Sequence, residues 1–291
     1  MTIRHLRIFT AVAEAGSMSA AAKALFVSQP SVSQAIGELE KEFGVRLFER
    51  LSQKLYLTGE GELMLSYSRH ILDSISQLEQ AMGQAAKGPT LRIGCSVTVG
   101  TCLINDLLDI LEQRMPELET RVVAANSSQI EQAILNNQVD LGIVEGILKS
   151  PELEITPVCT DELVVVCGSG HPLAREERVT VQMLSGQSYL SREDGSAGRN
   201  QLEQLLEEQG VQLRRSFCST NTETIKNALL RGRGIAILSR RMVEQELASG
   251  QVAALHIEGI HATRDIRMAI HRNKYISEGI RMLRQVAQEV L

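Results

Sequence analysis

The sequence predicts an α/β protein in which a small all-helical N-terminal domain and a long helix precede a larger region of two α/β subdomains. Three observations support this prediction. Residues 1–58 hold short amphipathic helical patterns, and residues 58–87 hold an unbroken apolar heptad repeat. From Pro89 onward, apolar strand runs alternate with amphipathic helices. A length of 291 residues allows each part to bury a core of its own.

The N-terminal region reads as three short helices separated by capping residues. Gly16 ends the first helix, and Ser17 or Ser19 can cap a second helix over residues 20–25. The third helix spans residues 28–43. Its boundaries are indicated by Ser28 as the N-cap, Pro30 in the first turn and Gly44 just past the end.

This third helix has one apolar face and one polar face. At 3.6 residues per turn, Gln34 lies about 200° from both Val32 and Ile36, so its side chain must face outward. The apolar stripe consists of Val32, Ile36, Leu39 and Phe43.

A short hairpin is predicted after the third helix. Between residues 46 and 58, Leu51, Leu55 and Leu57 alternate with polar side chains, which is typical of a strand with one buried face. Basic residues lie at the ends of this segment.

A long helix follows, and its apolar residues repeat every seven positions, as in the seam of a coiled coil. Gly88 and Pro89 stop the helix, so the sequence divides into residues 1–58, 59–88 and 89–291. The repeat consists of Met64, Ile71, Leu78 and Ala85 together with Ser68, Ile75 and Met82.

The remaining chain predicts a doubly wound, Rossmann-like arrangement with a parallel sheet in each of two subdomains. Ligands of such sheets bind at the carboxyl ends of the strands, which here flank a cleft. The predicted strands are residues 91–95, 119–125, 141–144, 163–166, 188–190, 215–219, 235–238 and 266–271. One predicted helix follows the first strand and ends at residue 115. The other predicted helices span residues 128–136, 199–209, 223–230, 242–247 and 277–290.

Composition excludes several classes of protein. The net charge is −5, yet residues 1–58 hold seven Lys and Arg against five Asp and Glu, which favours a DNA-facing N-terminus. No apolar run approaches the roughly 18 residues of a membrane span, and no signal peptide is recognisable, so we expect a cytoplasmic protein. The five cysteines form no C-x-x-C pair and the histidines do not cluster, which argues against a metal site.

The strongest motif runs from Ala13 to Arg50 and includes S-Q-P-S-V-S-Q-A-I-G-E-L-E at residues 28–40. It resembles the winged helix-turn-helix of LysR-type transcriptional regulators. Two helices joined by a tight turn, the second beginning with short polar side chains, can enter a major groove. The resemblance implies that Arg50 and Lys54 contact phosphates in the wing. It implies base contacts by Gln29, Pro30, Ser31, Ser33 and Gln34. The alternative is a three-helix domain without a DNA-binding role, whose serines are only solvated.

The heptad helix resembles the linker helix of the same family, which pairs with that of a second subunit. Pairing would give a homo-oligomer, a dimer or a tetramer, and would position two recognition helices roughly 34 Å apart along DNA. The alternative is a helix packed on its own domain. The dimerisation residues implied are Met64, Ile71, Ile75, Leu78 and Met82.

The C-terminal region resembles the effector-binding domain of this family. Asp161 to Ala174 and the R-E-D-G-S-A-G-R stretch from Arg192 to Arg199 support the resemblance. We assign the first subdomain to about residues 89–161 and 267–291 and the second to about 162–266. Helix N-termini near strand ends favour a small anion as effector. The candidate effector residues are Ser96, Thr98, Thr101, Asn126, Ser127, Glu145, Arg192, Ser196, Thr220, Asn221 and Thr222, with Arg199 as a further source of charge.

Several alternatives stay open. Each Ser, Thr or Asn in this set can be an ordinary N-cap. Cys159 and Cys167 raise the alternative of a redox-responsive regulator, although neither has a basic neighbour in sequence. An enzyme or a cytosolic small-molecule-binding protein is the rival class, but phosphate-loop, dinucleotide and nucleophile-elbow motifs are missing. We therefore expect no catalysis and no cofactor, with operator DNA, a small effector and RNA polymerase as partners.

Overall fold

The structure is a computed structural model that describes residues 1–51, 54–82, 89–194, 196, 203, 204 and 206–291, with only the backbone of residues 50, 51, 54, 77, 80 and 81. The chain divides into two compact units. The first contains residues 1–89 together with the short segments 135–138 and 273–275. The second contains residues 90–134, 139–272 and 276–291.

The first unit contains a three-helix core, a two-stranded antiparallel hairpin and a long helix. These elements confirm the predicted order, and the hairpin is the predicted wing. Their bounds are α1 Ile3–Ala15, α2 Met18–Ala24, α3 Gln29–Phe43, β1 Phe48–Leu51, β2 Lys54–Leu57 and α4 Gly59–Ala81.

The predicted caps delimit these helices. Gly16 and Gly44 adopt left-handed conformations, with φ of 59° and 68°, where a side chain would be strained. Ser17 Oγ accepts a hydrogen bond from a backbone N–H of α2, and Ser28 Oγ accepts one from a backbone N–H of α3. Local sequence therefore determines where each of these helices begins and ends.

The core of the first unit includes the predicted apolar face of α3. Val32, Ile36 and Leu39 are at most 2% exposed, and they pack with Phe9 and Val12 of α1. The prediction that Phe43 completes this stripe was wrong, because this last residue of α3 is 47% exposed. Helical periodicity places Phe43 on the apolar side of α3. It does not show whether other side chains pack against that position.

Polar contacts within the first unit hold helix α4 in place. The Lys274 ammonium donates to Asp73 of α4 at 2.6 Å and to Asn137 Oδ1 at 2.9 Å, and Lys274 is only 7% exposed. Arg69 of α4 donates to Asn136 Oδ1 at 3.0 Å. The predicted continuation of the helix over residues 83–87, including Ala85, lies outside the described residues.

Within its described residues, the second unit is built on one mixed sheet of nine strands. The order is β4-β3-β5-β11-β6-β9-β7-β8, and β10 pairs with β6. The strands are β3 Thr90–Ser96, β4 Glu119–Ala125, β5 Leu141–Glu145, β6 Leu153–Gly168, β7 Ser188–Arg192, β8 Arg214–Ser219, β9 Ile235–Ser239, β10 Val252–Ala254 and β11 Ala262–His271.

Helices cover this sheet and give each half its own apolar core. Three turns of 3-10 helix occur at Pro172–Arg175, Val181–Leu184 and Arg240–Val243. Of the predicted helix over residues 199–209, residues 203, 204 and 206–208 are helical, and residues 199–202 and 205 lie outside the described residues. The α-helices are α5 Val97–Cys102, α6 Ile104–Arg114, α7 Ser127–Leu135, α8 Thr222–Leu230, α9 Glu244–Ala248 and α10 Glu278–Val290.

The sheet differs from the predicted pair of parallel sheets in one respect. Strands β3, β4 and β5 are parallel at one end and β7, β8 and β9 at the other, but β6 and β11 run antiparallel between them. β6 has 16 residues, whereas only residues 163–166 were predicted. In its first half, residues 153–160, only Leu153 is buried and the other positions are half-buried or exposed, so this part lacks the continuous apolar run used to find strands. The two halves are therefore joined through the long strands β6 and β11.

The predicted single helix before residue 115 is also interrupted. Leu103 has a non-helical backbone, and it separates α5 from α6. Among the described helices, none combines the length and the apolar character needed to cross a membrane.

Candidate functional site

The N-terminal end of α3 presents the polar residues predicted to read bases. Gln29, Pro30, Ser33 and Gln34 are exposed. Ser31 is half-buried, and its hydroxyl lies 2.7 Å from that of the N-cap Ser28. Four of the five candidates are therefore exposed to solvent, and Gln34 lies on the side of α3 opposite its apolar stripe.

The side chain of Gln34 is held along the helix surface. Its Nε2 donates to Glu38 Oε1 at 2.8 Å, one turn further along α3. Glu38 also lies 3.2 Å from the ring of His5 in α1. The contact orients the Gln34 amide and uses one of its two N–H donors.

Phe26 was missed by sequence analysis. It lies between α2 and α3, is 96% exposed and has a φ of 55°, a conformation that non-glycine residues rarely adopt. A large apolar side chain fully in solvent at a tight turn is an unusual feature. The signal in the sequence is an aromatic residue directly before Val27 and Ser28, where small or polar turn residues are usual.

The predicted phosphate contacts lie on the hairpin. Arg50 belongs to β1 and Lys54 begins β2, and the two strands pair in the register Arg50 with Leu55 and Leu51 with Lys54. Both positions therefore lie near the tip of the wing. Their side chains lie outside the described part of the chain.

Helix α4 carries an exposed apolar stripe that overlaps the predicted seam. Ile71 and Leu78 of α4 are 40% and 59% exposed, Met82 directly after the helix is 71% exposed, and Met64 and Ile75 are half-buried. Leu63 and Tyr67, which sequence analysis did not include, are also exposed. Ser68, a predicted seam position, is instead 1% exposed. The exposed stripe is thus rotated slightly about the helix axis relative to the predicted seam.

In the second unit, several predicted effector residues meet at the carboxyl ends of β3, β4 and β5. Ser96 ends β3 and Glu145 ends β5, and both are buried. Thr98 Oγ1 donates to Glu145 Oε1 at 3.1 Å. Ser127 Oγ donates to the backbone carbonyl of Glu145 at 2.9 Å.

A buried arginine that sequence analysis missed organises this region. Arg264 Nε donates to Asp161 Oδ2 at 2.8 Å, and Arg264 Nη2 donates to Thr98 Oγ1 at 2.9 Å. Arg264 Nη1 lies 3.5 Å from Glu145 Oε1, and Ser239 Oγ donates to Asp161 Oδ1 at 2.7 Å. We call Thr98, Glu145, Asp161, Ser239 and Arg264 the Arg264 cluster.

The Arg264 cluster joins both halves of the sheet. Arg264 of β11 and Asp161 of β6 are paired in register on the two antiparallel strands that connect the halves. The cluster holds two carboxylates and one guanidinium, with side chains at most 8% exposed. Arg241 lies 3.8 Å from Asp161 but is 41% exposed, so solvent screens its charge.

A second polar group lies where β7 ends and α8 begins. Arg192 Nε and Nη2 donate to the Glu193 carboxylate at 2.8 and 3.0 Å, and Nη1 donates to Thr222 Oγ1 at 3.0 Å. The Ser196 N–H donates to the Glu193 carbonyl at 3.3 Å. The guanidinium charge of Arg192 is therefore balanced by its neighbour in sequence. Arg199 lies outside the described residues.

The other candidate effector residues make local contacts. Asn126 Oδ1 accepts from the Gln129 N–H, and Asn221 Oδ1 accepts from the Glu223 N–H, as ordinary caps do. Thr101, which is exposed, donates to the carbonyl four residues earlier in its own helix. Thr220 is exposed.

The geometry argues against the redox alternative. Cys159 and Cys167 lie on the same strand, β6, eight residues apart, so their Cα atoms are separated by roughly 26 Å. A disulfide needs Cα atoms less than about 7 Å apart. Burial raises the pKa of Cys167 to about 11 and also raises the pKa of Cys159, which keeps both thiols protonated.

Among the described residues, no group of His, Cys, Asp and Glu side chains is arranged to hold a metal ion. The polar clusters of the second unit instead offer hydrogen bonds and buried charge. Such groups can bind a small polar molecule and fix its orientation.

Comparison with protein families gives two matches that together cover nearly the whole chain. A family described as the LysR substrate binding domain matches residues 84–291. A second, described as the bacterial regulatory helix-turn-helix protein, lysR family, matches residues 3–62.

Individual proteins give the same result. The RuBisCO operon transcriptional regulator of Allochromatium vinosum is 32% identical over 280 residues, covering 95% of this chain and 92% of the relative. The HTH-type transcriptional regulator CysL of Bacillus subtilis is 30% identical over 264 residues, covering 90% and 88%.

Solved structures share the fold. A full-length OxyR variant from Pseudomonas aeruginosa superposes with a TM-score of 0.74 at 22% identity, covering 99% of this chain and 95% of that one. The regulatory domain of CcmR from Synechocystis, in complex with 2-PG, gives 0.65 at 27% identity, covering 69% and 97%.

Proposed function

This chain belongs to the LysR family of transcriptional regulators, and we propose that it reads a specific operator in double-stranded DNA with the N-terminal end of α3. The observation that carries the proposal is the exposure of Gln29, Ser33 and Gln34 in the first two turns of that helix. Amide and hydroxyl groups hydrogen-bond base edges in the major groove, and Gln in particular pairs with adenine. Pro30 and Ser31 complete the candidate surface.

The phosphate backbone is contacted by the wing. Arg50 and Lys54 sit on strands that pair near the hairpin tip, which suits contacts that hold the domain on DNA without reading sequence. The excess of basic residues in the first 58 positions supports this role.

Alanine at Gln34 should reduce the discrimination between operator and random duplex, because the lost base contact is worth about 1–3 kcal/mol. We expect the same for Gln29→Ala and Ser33→Ala. The measurement is fluorescence anisotropy on the duplex that the wild-type chain selects from a random pool and on a shuffled duplex of equal length.

Two control variants separate base reading from other effects. Lys54→Ala should weaken binding to both duplexes alike, because a phosphate contact carries no sequence information. Lys41→Ala, in the last turn of α3, should change neither affinity by much. If Gln34→Ala lowered both affinities equally, α3 would not be the reading helix.

Two subunits are paired through the exposed apolar stripe of α4. An apolar stripe left in solvent over several helical turns favours association with a second copy. A dimer with two recognition helices suits a two-fold symmetric operator. Dimers of such dimers would give the tetramer.

The effector is a small polar molecule, for which sequence analysis predicts an anion. CcmR and QuiR, two structural neighbours, were solved in complex with 2-PG and with shikimate. For this chain, the buried polar groups at the carboxyl ends of β3 and β5 support a ligand at this edge of the sheet.

Transmission to DNA follows the strands that carry the Arg264 cluster. β5 runs from residue 141 to Glu145 and β11 from residue 262 to 271, so their far ends adjoin segments 135–138 and 273–275. Those segments hold α4 through Lys274 and Asp73. A ligand that binds one arrangement of the subdomains better would shift the balance between arrangements and so reorient α4.

The remaining assignments follow from this role. The chain works in the cytoplasm, where operator DNA lies, and acts on RNA polymerase bound beside it. Its task is regulatory, with no catalytic step. The domain limits that serve this role are residues 1–58 for DNA binding, 59–88 for pairing and 89–291 for effector binding.

A further inference from the structure

Two buried polar atoms beside the Arg264 cluster have no hydrogen-bond partner in the described part of the chain. They are Glu145 Oε2 and Ser96 Oγ. Glu145 is 6% exposed and Ser96 is 0% exposed, and they lie at the carboxyl ends of the neighbouring parallel strands β5 and β3. Buried carboxylate oxygens are normally hydrogen-bonded, because removing a charged acceptor from water is costly.

The neighbours of Glu145 are committed to other contacts. Thr98 donates its hydroxyl hydrogen to Glu145 Oε1, the other oxygen of the carboxylate. Arg264 divides its guanidinium between Asp161 and Thr98 and approaches Glu145 at Oε1 only. The hydroxyl of Ser127 is used by a backbone carbonyl. None of these side chains therefore donates to Oε2.

Electrostatics at this point act against a bare anion. The Arg264 cluster has two carboxylates for one guanidinium, and Arg241, which lies 3.8 Å from Asp161, is 41% exposed, so solvent screens its charge. Burial, and after it the negative charge of Glu145, raises the pKa of the adjacent Cys95 thiol to about 11. An oxyanion that approached Oε2 without a hydrogen would place two acceptors against each other.

We propose that Glu145 selects effectors that bring an O–H or N–H group, so that an anionic effector must keep a hydrogen on the atom that faces Oε2. This proposal rests on the proposed function and narrows its ligand class. A hydroxy acid, or an oxyanion that retains a proton near neutral pH, satisfies Oε2. Sulfate and simple carboxylates, which have no such hydrogen, do not. Ser96, which can donate and accept, provides the second contact.

Two matched pairs of probes test this directly on the full-length protein. Glycolate and acetate differ by one hydroxyl, and phosphate and sulfate differ by a retained hydrogen near neutral pH. At equal ionic strength, isothermal titration should give at least about tenfold tighter binding for glycolate or for phosphate than for its partner, because a site built around a hydrogen bond rejects the analogue that lacks it. The pair that responds distinguishes an organic hydroxyl from a protonated oxyanion.

Variants then assign the preference to one side chain. Glu145→Gln can donate a hydrogen, so the preference should vanish or reverse toward acetate or sulfate. Glu131→Gln is the matched control, because Glu131 is also buried but accepts from the N–H groups of Lys149 and Ser150. It should keep the wild-type preference. Ser96→Ala should weaken both members of the responding pair and preserve their order.

The proposal is overturned if neither glycolate nor phosphate binds, if acetate or sulfate binds as tightly as its partner, or if Glu145→Gln keeps the wild-type order. The wild-type comparison needs no variant, so it decides the matter even if Glu145→Gln does not fold. Operator binding by the same samples is scored separately. Its absence would refute the proposed function, whatever the probes do.

Discussion

Replacing Arg264 with methionine should lower the free energy of unfolding of the effector-binding region by about 3–5 kcal/mol. Methionine fills a similar space but leaves Asp161 and Glu145 as buried carboxylates without their guanidinium. Thr98 also loses the donor to its hydroxyl oxygen. Urea denaturation followed by circular dichroism measures the loss as a shift of the transition midpoint.

The control is the neighbouring exposed pair. Arg240 pairs with Glu162, and these side chains are 48% and 36% exposed, so Arg240→Met should cost less than about 1 kcal/mol. Adding Glu145→Gln to Arg264→Met should recover part of the loss, because it removes one of the two unpaired charges. Equal costs for Arg264→Met and Arg240→Met would show that the Arg264 cluster does not stabilise the sheet.

Glutamate at Leu78 should abolish pairing of two chains while leaving each chain folded. Leu78 is 59% exposed within its own chain, so the substitution removes little internal packing. In a seam formed by two copies, it places carboxylates against an apolar surface and near each other, which is strongly unfavourable. Loss of the second half-site contact should then weaken operator binding by about 10²–10⁴-fold.

Analytical ultracentrifugation and anisotropy measure these two effects. Ser76→Glu is the matched control, since it adds the same charge at an exposed position of α4, two residues before Leu78 and so on the opposite side of the helix from the apolar stripe. Ile75→Glu tests in the same way whether the half-buried Ile75 also belongs to the seam. A Leu78→Glu protein that sedimented like the parent and bound the operator normally would show that subunits meet elsewhere.

The helices of the first unit could be predicted because their signals are local. Gly16, Ser28 and Gly44 act through hydrogen bonds and backbone angles within a few residues of themselves. The outward direction of Gln34 follows from helical geometry alone. The exposure of Phe26 was not predicted, because it depends on how α2 and α3 pack and no local sequence rule describes that packing.

The site of the second unit could be predicted only in part. The positions of Ser96, Thr98, Ser127 and Glu145 near the carboxyl ends of strands could be predicted because apolar strand runs are visible in the sequence. Arg264 was not, because it lies 103 residues from Asp161 in sequence and meets it only through the pairing of β6 and β11. The first half of β6, with only Leu153 buried, gave no strand signal of its own.

The contacts of Arg192 illustrate a second limit. Sequence analysis can place a basic residue at a strand end, but it cannot tell whether its charge is free for a ligand. In the structure the guanidinium bonds to Glu193 and Thr222. The capping contacts of Asn126 and Asn221 were likewise an open alternative in the sequence.

The most direct test of the account is selection of duplexes from a random DNA pool by the full-length protein. We predict enrichment of one sequence with two-fold symmetry, whose half-sites are centred about 34 Å apart or a multiple of that distance, and whose binding weakens steeply with salt. A pool that showed no enriched sequence, with binding that depended on charge alone, would contradict the assignment of this chain as an operator-reading dimer.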